Sequence, residues 1–369
     1  NSGLGLGAGD LMLWPEPNDF TRADIIAGLQ HLEPATSFRS GYAYDNLMYV
    51  VAGEVAAAAG GAPYEELVRR EVFAPLGMDG CRVGSWRPDQ AGPVARPHRR
   101  VEGRNVPMDG DAERVPDITS MAAGGIRCGV QDMLKWMQAW LDPADPWLSP
   151  PQRRAAWTAH MPMPLGERMR QWDNSHFSAY GYGWRLSDVD GQWKVAHTGT
   201  LSGMYSSLVL LPDRRSGFVI LINGEGEDAR TALGQALLER HTAPGAGHGV
   251  AHYAALLERE RSQRAAADPL PDTSSRQPAT QAEAGGLLGV WRDPWFGEVA
   301  ICPRAGGVGF ASARSPLMTG SVMRVDQRWL VDWDDDSVDA EAWLHPPVRA
   351  GGEGAVLTLS AVDPAAHFS

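Results

Sequence analysis

Two short runs of this chain hold side chains of the right types for shared chemistry. Tyr44-Asp45-Asn46 stands at the start of a predicted helix, and His197-Thr198-Gly199 stands at the end of a predicted strand, followed by Thr200-Leu201-Ser202-Gly203. Tyrosine and histidine are proton-transfer groups, and asparagine both donates and accepts hydrogen bonds. Such tripeptides also arise by chance, so a structural tyrosine and a strand-end histidine are the competing reading. Other sources of chemistry are excluded by spacing. Gly3-Leu4-Gly5-Leu6-Gly7-Ala8-Gly9 has Ala8 where a dinucleotide fingerprint needs its third glycine, no strand precedes it and no P-loop lysine follows. No serine has glycine at both −2 and +2, which removes a nucleophile elbow. Neither CxxC nor HExxH occurs, so zinc has no support, and Asp332 to Asp336 lacks calcium-loop spacing and reads as a solvated hairpin turn.

The elements that must position these residues follow from composition and periodicity. The 369 residues are too many for one small domain, and 43% hydrophobic content with 14 Trp is that of a folded chain. The net charge of −12 argues against a nucleic-acid partner, and no apolar run reaches membrane-span length. Cys81, Cys128 and Cys302 are far apart, and an odd count cannot complete a disulfide framework. Thr21 caps a short helix carrying Ile25, Ile26, Leu29 and Leu32, and a second helix runs from Asn46 to Ala59 until Gly60-Gly61. A third spans Tyr64 to Phe73. Residues 84 to 118 read as one long loop, and Val130 to Leu141 as an amphipathic helix. Tyr182 to Leu186, Trp193 to His197, Tyr205 to Leu211 and Phe218 to Asn223 form an antiparallel meander, closed by a helix from Ala229 to Arg240. A helix from Ala251 to Ala266 and a linker from Asp268 to Ala282 lead to seven short strands between Gly289 and Val362.

The motifs gain weight from their order. Phe38 to Asn46 with its following helix, Phe73-Ala74-Pro75-Leu76-Gly77-Met78, Ala123-Gly124-Gly125-Ile126 with Asp132-Met133 and Trp136, Tyr182-Gly183-Trp184, and His197-Thr198-Gly199 follow one another along the chain. Together they resemble the penicillin-recognising serine hydrolases, specifically the class C β-lactamase-like (CubicO) family. The likeness covers residues 1 to about 242, and Gly289-Val290-Trp291 to His367-Phe368-Ser369 resembles the β-rich tail of one branch. The resemblance implies an α/β (α+β) body: an antiparallel sheet flanked by helices plus a helical subdomain, followed by a small all-β barrel-like domain. The expected division is 1–245 for the hydrolase domain, 246–284 for helix and linker, and 285–369 for the barrel.

In this family a serine attacks a carbonyl and forms an acyl-enzyme that water hydrolyses, without metal or organic cofactor. The resemblance assigns Tyr44 as base, provided cations stabilise its phenolate, and Asn46 as hydrogen-bond partner of the substrate amide or of the nucleophile's neighbour. It places His197, at the cleft edge where many relatives carry Lys, to polarise Tyr44 or meet a substrate acceptor, puts Thr198 and Gly199 on the substrate-binding strand, and makes the N–H of Thr200 the second oxyanion donor. A largely neutral histidine meets a substrate carboxylate less reliably than lysine does, which favours esters, amides or D-amino-acid derivatives over β-lactams. The family's Ser-x-x-Lys is missing: the chain's two lysines, Lys135 and Lys194, have Asp132 and Gly191 three residues before them. The expectation is that residues preceding Asn1 carry it, since that segment also supplies strands whose loss would leave a sheet edge unpaired. The other class of reading is a catalytically inactive protein that binds peptidoglycan fragments or a partner peptide. Small-molecule or peptide substrates and a periplasmic or secreted bacterial location are implied by the resemblance; a scaffold or assembly role for the tail is a third reading.

Overall fold

A computed structural model describes residues 1–101, 103–108, 115, 117–201, 203–335, 338, 340–349 and 355–363; Ser202, Asp336 and His367-Phe368-Ser369, named above, lie outside the described residues. The fold is mixed α and β with antiparallel sheets. Contacts divide it into two compact units, Asn1–Val51 with Ala265–Ser369, and Ala52–Arg264.

Residues 1–51 contribute α1, Arg22–Gly28, and the start of α2, Asn46–Gly60. Thr21 caps α1 as expected, in a reciprocal capping box with Asp24. Asp45 caps α2: its Oδ1 accepts from the N–H of Leu47 at 2.9 Å and of Met48 at 3.4 Å. Gly61, at φ 64°, ends that helix in the left-handed conformation that glycine adopts without strain.

The second unit follows α2 with α3, Tyr64–Val68, whose path continues through a π-type turn at Arg69–Phe73 into α4, Ala74–Leu76. The stretch read as one loop contains a hairpin, β1 (His98–Val101) and β2 (Arg104–Pro107), turned at Gly103 with φ 76°. Arginine-rich strands with little apolar alternation leave no period to read. Next come α5 (Met121–Gly124), α6 (Val130–Leu141), α7 (Pro150–Ala156), β3 (Met161–Pro162), α8 (Glu167–Trp172) and the meander. Its strands are β4 (Ser178–Tyr180), β5 (Arg185–Val189), β6 (Gln192–Leu201), β7 (Met204–Leu211) and β8 (Ser216–Ile222), and with β3 they make a six-stranded antiparallel sheet in chain order. Helices α9 (Glu227–Thr242) and α10 (Val250–Ala267) complete the unit.

Alternation along the meander supplies an apolar face to each side. Leu186, Val195, Leu208 and Leu210 pack with Trp140 and Trp184, joined by Met133, Trp136 and Met137 of α6. Val189, Val209, Leu211, Phe218 and Ile220 pack with Leu238, Leu233 and Leu237 of α9. Trp140 is surrounded by the rings of Trp136, Trp147, Trp157 and Trp184 at 5.2–5.9 Å between centroids. The buried guanidinium of Arg153 donates at 2.7 Å to the carbonyls of Ala139 and Trp140, satisfying acceptors that the end of α6 leaves open. Cys81 and Cys128, set aside on sequence distance, form a disulfide. They flank a reciprocal backbone pair between Arg82 and Arg127 at 2.8 and 2.9 Å, in a cluster with Val68, Phe73, Met78 and Met121.

The first unit resumes with β9 (Gln277–Pro278), then β10 (Gly289–Asp293), β11 (Gly297–Arg304), β12 (Gly307–Ser312), β13 (Thr319–Val325), β14 (Arg328–Trp333), β15 (Ala342–Arg349) and β16 (Ala355–Ala361). They form one barrel-like antiparallel sheet in chain order from β10 to β16, with β9 added beside β13. The stretch read as linker therefore ends inside the fold: Gln277 and Pro278 pair with Arg324 and Met323, and Ala279 and Ala284 are fully buried. Small side chains fit that core although their composition reads as linker. Residues 1–51 pack on this sheet: Met12, Leu13, Phe20, Ile25, Leu47 and Val50 share a core with Val299, Ile301, Phe310, Val322 and Val331. Arg314 ties the two parts together, 2.7 Å from Asp24 and 4.4 Å from the Phe20 ring centre. The compact units thus divide the chain differently from a cut at residue 245.

The disulfide closes a separation of 47 residues in the second unit, a loop that costs the unfolded chain about 4 kcal/mol of entropy. Replacing both Cys81 and Cys128 by serine is expected to lower stability by about 2–4 kcal/mol in urea titration, and reductant should have no further effect on that variant.

Candidate active site

His197, Thr198, Gly199 and Thr200 stand together on β6 in the second unit, whereas Tyr44 and Asn46 stand at the start of α2 in the first. Each group is built by its own surroundings.

On β6, the ladder with β5 runs from Gln192 to Ala196 and stops, because β5 begins at Arg185. From His197 to Leu201 the strand pairs with β7 alone. His197 is half-buried, and both ring nitrogens are engaged: Nδ1 lies 2.7 Å from the carbonyl of Thr198 and Nε2 2.8 Å from the hydroxyl of Tyr180. A carbonyl only accepts, so Nδ1 carries the proton, and Nε2 of the neutral ring accepts from the Tyr180 O–H. Burial, seconded by the positive charge of Arg185, holds the His197 pKa below its ordinary 6.5, against the opposing bond to Thr198. His197 is therefore an uncharged hydrogen-bonding group at neutral pH.

Gly199 sits opposite Ser206, and a Cβ on Gly199 would overlap the Ser206 Oγ, so a larger residue here would push that hydroxyl aside. Arg230 of α9 holds the same segment. Its guanidinium donates to the carbonyl of Gly199 at 2.8 Å and to Thr200 Oγ1 at 2.9 Å, and it lies 5.1 Å from the Tyr205 ring centre. Arg230 is 8% exposed. The sequence carries a signal for it: Arg230 shares helix-face spacing with Leu233, Gly234 and Leu237, and an arginine in an apolar stripe needs a buried acceptor. Tyr180 carried no such signal, since its partner is 17 residues away on another strand.

In the first unit the Gly7 N–H donates to the Tyr44 carbonyl at 2.9 Å, which brings the glycine-rich opening against the Tyr44-Asp45-Asn46 run. The Asn46 amide then donates to Asp10 Oδ2 at 3.4 Å. Burial pushes the Asp10 pKa up to about 7, Asn46 opposes the shift, and the neighbouring Asp45 adds to it. Burial also raises Asp45, against the N–H bonds of Met48 and Leu47. Asp10 Oδ1 and Asp45 Oδ2 are buried without a hydrogen-bond partner among the described residues. Asp10 was not singled out in the sequence, where it reads as the end of a glycine-rich turn.

Neither lysine belongs to these groups. Lys194 pairs with the buried Asp173, whose second oxygen accepts from Gln235 at 2.6 Å. Lys135 pairs with the buried Asp132 at 3.0 Å and donates to the Gly77 carbonyl.

The Beta-lactamase family model matches residues 1–243. The unguisins hydrolase ungD' of Aspergillus campestris (strain IBT 28561) is 24% identical over 217 residues, 58% of this chain and 39% of that protein. The match thus spans about two-fifths of that relative's length. The octameric penicillin-binding protein homologue from Pyrococcus abyssi superposes with a TM-score of 0.54 at 16% identity, covering 92% of this chain and 72% of that one. The D-amino acid amidase from Ochrobactrum anthropi SV3, in complex with L-phenylalanine amide, gives 0.49 at 21% identity over 71% of this chain and 69% of that one.

Two substitutions test the electrostatics. Tyr180→Phe removes a donor that favours the neutral ring, so the His197 pKa followed by NMR should rise toward 6.5 while stability falls by about 1 kcal/mol. Asp10 has a folded pKa above its unfolded 3.8, so its contribution to stability is present below about 4 and lost as pH rises through 7. Asp10→Asn, neutral throughout, should exceed the native protein in stability by about 1–3 kcal/mol at pH 8 and by much less at pH 5, measured by urea unfolding.

Proposed function

The chain belongs to the Beta-lactamase family, whose members are serine hydrolases, and on that premise we propose that it is a serine-dependent acyl hydrolase of esters, amides or D-amino-acid derivatives. In the proposed cycle a serine oxygen adds to the substrate carbonyl while its proton passes to Tyr44. The proton then goes to the leaving amine or alcohol, and water releases the acyl group by the same route. Asn46 hydrogen-bonds the substrate amide, and the Thr200 N–H stabilises the oxyanion. The observation that carries the substrate class is the neutral state of His197, favoured by burial, by the charge of Arg185 and by the Tyr180 hydroxyl that Nε2 accepts from, against the opposing bond to the Thr198 carbonyl. An uncharged imidazole offers no charge to the carboxylate of a β-lactam.

The nucleophile is assigned to a Ser-x-x-Lys preceding Asn1. The second reading, a binding protein without turnover, is favoured by one observation: residues 1–369 hold no Ser-x-x-Lys, and both lysines are committed to Asp132 and Asp173.

The intact mass of the protein expressed from its own gene, before and after a serine-reactive acylating probe, separates the two. A mass well above 39.9 kDa that gains one probe equivalent is the expected result. A mass equal to that of Asn1 to Ser369 with no gain would end the hydrolase reading. On the acylating protein, His197→Lys should raise turnover of a carboxylate-bearing lactam several-fold, and a fall would remove the argument for substrate class.

A further inference from the structure

Beside His197, the fold holds an aromatic pair in an unusual state for large side chains: fixed, yet open to water. The turn Gly181–Trp184 leads directly into β5, whose first residue, Arg185, lies opposite Ala196. The turn thus joins β4 to β5 at the end where the β5 ladder stops one residue short of His197, and Tyr180, the residue before it, reaches the His197 ring. Within the turn, Tyr182 stacks on His160 with ring centres 4.1 Å apart and planes 13° from parallel. His160 is exposed, and Tyr182 is 65% exposed.

Four restraints hold this pair. The His160 ring donates through Nε2 to the Ala155 carbonyl at 2.7 Å, and its backbone N–H donates to the Tyr180 carbonyl at 3.0 Å. The Tyr182 N–H donates to the Ala156 carbonyl at 3.0 Å, and the Gly181 N–H closes the turn on the Trp184 carbonyl at 2.8 Å. A Cβ on Gly181 would overlap the Ala156 carbonyl oxygen, so the two backbones meet only with glycine here. The backbone bonds fix the turn and the Ala155 carbonyl fixes the His160 ring, on which Tyr182 rests while staying open to water, and this lowers the cost of ordering when a flat group lands there. The neighbouring Trp184 is buried in the tryptophan cluster, so Tyr182 and His160 are the aromatic surface this turn presents.

We propose that the Tyr182–His160 stack is a subsite for an aromatic ring of the substrate, so that the chain selects aryl-bearing esters and amides over aliphatic ones. This rests on the hydrolase reading for the word substrate, but recognition itself needs no nucleophile. Tyr182 is a specificity residue that touches the bound ring, and His160 positions it.

The test is binding, measured by NMR titration of the protein with N-benzylacetamide and with its saturated counterpart N-(cyclohexylmethyl)acetamide. The two match in length and polarity and differ in the π face. The native protein should bind the benzyl compound about three- to tenfold more tightly. Tyr182→Phe should keep that preference and Tyr182→Ala should lose it, with circular dichroism and melting temperature unchanged in both. Equal binding of the two compounds, no binding of either at millimolar concentration, or a preference that survives Tyr182→Ala would overturn the proposal. A preference found in a protein that takes no acylating probe would sink the hydrolase and leave the subsite standing. Turnover of aryl and alkyl esters at equal kcat/KM would do the reverse.

Discussion

Between Val195 and Leu201, β6 is held by β7 over consecutive residue pairs, whereas β5 supports it only as far as Ala196. Everything at the candidate site of the second unit depends on that unequal support. Strand side chains alternate, so a slip of one residue in the β6–β7 register would exchange the faces of His197 and Thr198 and turn Val195 away from Leu186 and Leu210. The apolar layers against α6 and α9 therefore fix the position of a histidine that neither layer buries completely. Gly199 leaves room for the Ser206 hydroxyl, and Arg230 holds the segment from the α9 side. The strand end is thus rigid where pairing with β5 has ceased.

The polar groups near both candidate runs are held by other polar groups more than by solvent. His197 uses both nitrogens on protein partners, Arg230 uses a backbone carbonyl and a threonine hydroxyl, and Asp45 spends one oxygen on its helix. Interactions in such low-dielectric surroundings are stronger than in water, and their geometry is set before any ligand arrives. The two units differ in sign. In the second, burial and a positive neighbour keep a histidine uncharged; in the first, burial and a like-charged neighbour keep a carboxyl partly protonated near pH 7.

Local order was legible in the sequence, and pairing between distant residues was not. The Thr21 cap, the α2 stop at Gly60-Gly61, the α6 stripe and the meander strands are written in spacing of three, four or two, and each stands within a few residues of its expected place. The tail strands are equally visible. The hairpin at His98–Pro107 escaped because its strands, His-Arg-Arg-Val and Arg-Asn-Val-Pro, have no apolar alternation and bury little. The packing of residues 1–51 on the tail, the Cys81–Cys128 bond, the Asn46–Asp10 contact and the Tyr180–His197 bond all join positions that no local period connects. Of the candidate site, the chain showed which residues carry chemistry; what tunes them lies across the sheet or across the unit. The family likeness was visible as an order of motifs, because each motif is a short run that can be read without the contacts between them.

The engagement of both lysines has a consequence for how the molecule meets reagents. Almost all of its basic side chains are guanidinium groups, which do not acylate under mild conditions, and the Lys194 side chain is 13% exposed beneath Asp173. Of these two, Lys135, 43% exposed on α6, is the one that an amine-directed tag, crosslinker or solid support reaches more readily. Within residues 1–369, coupling through a lysine side chain is therefore directed to α6.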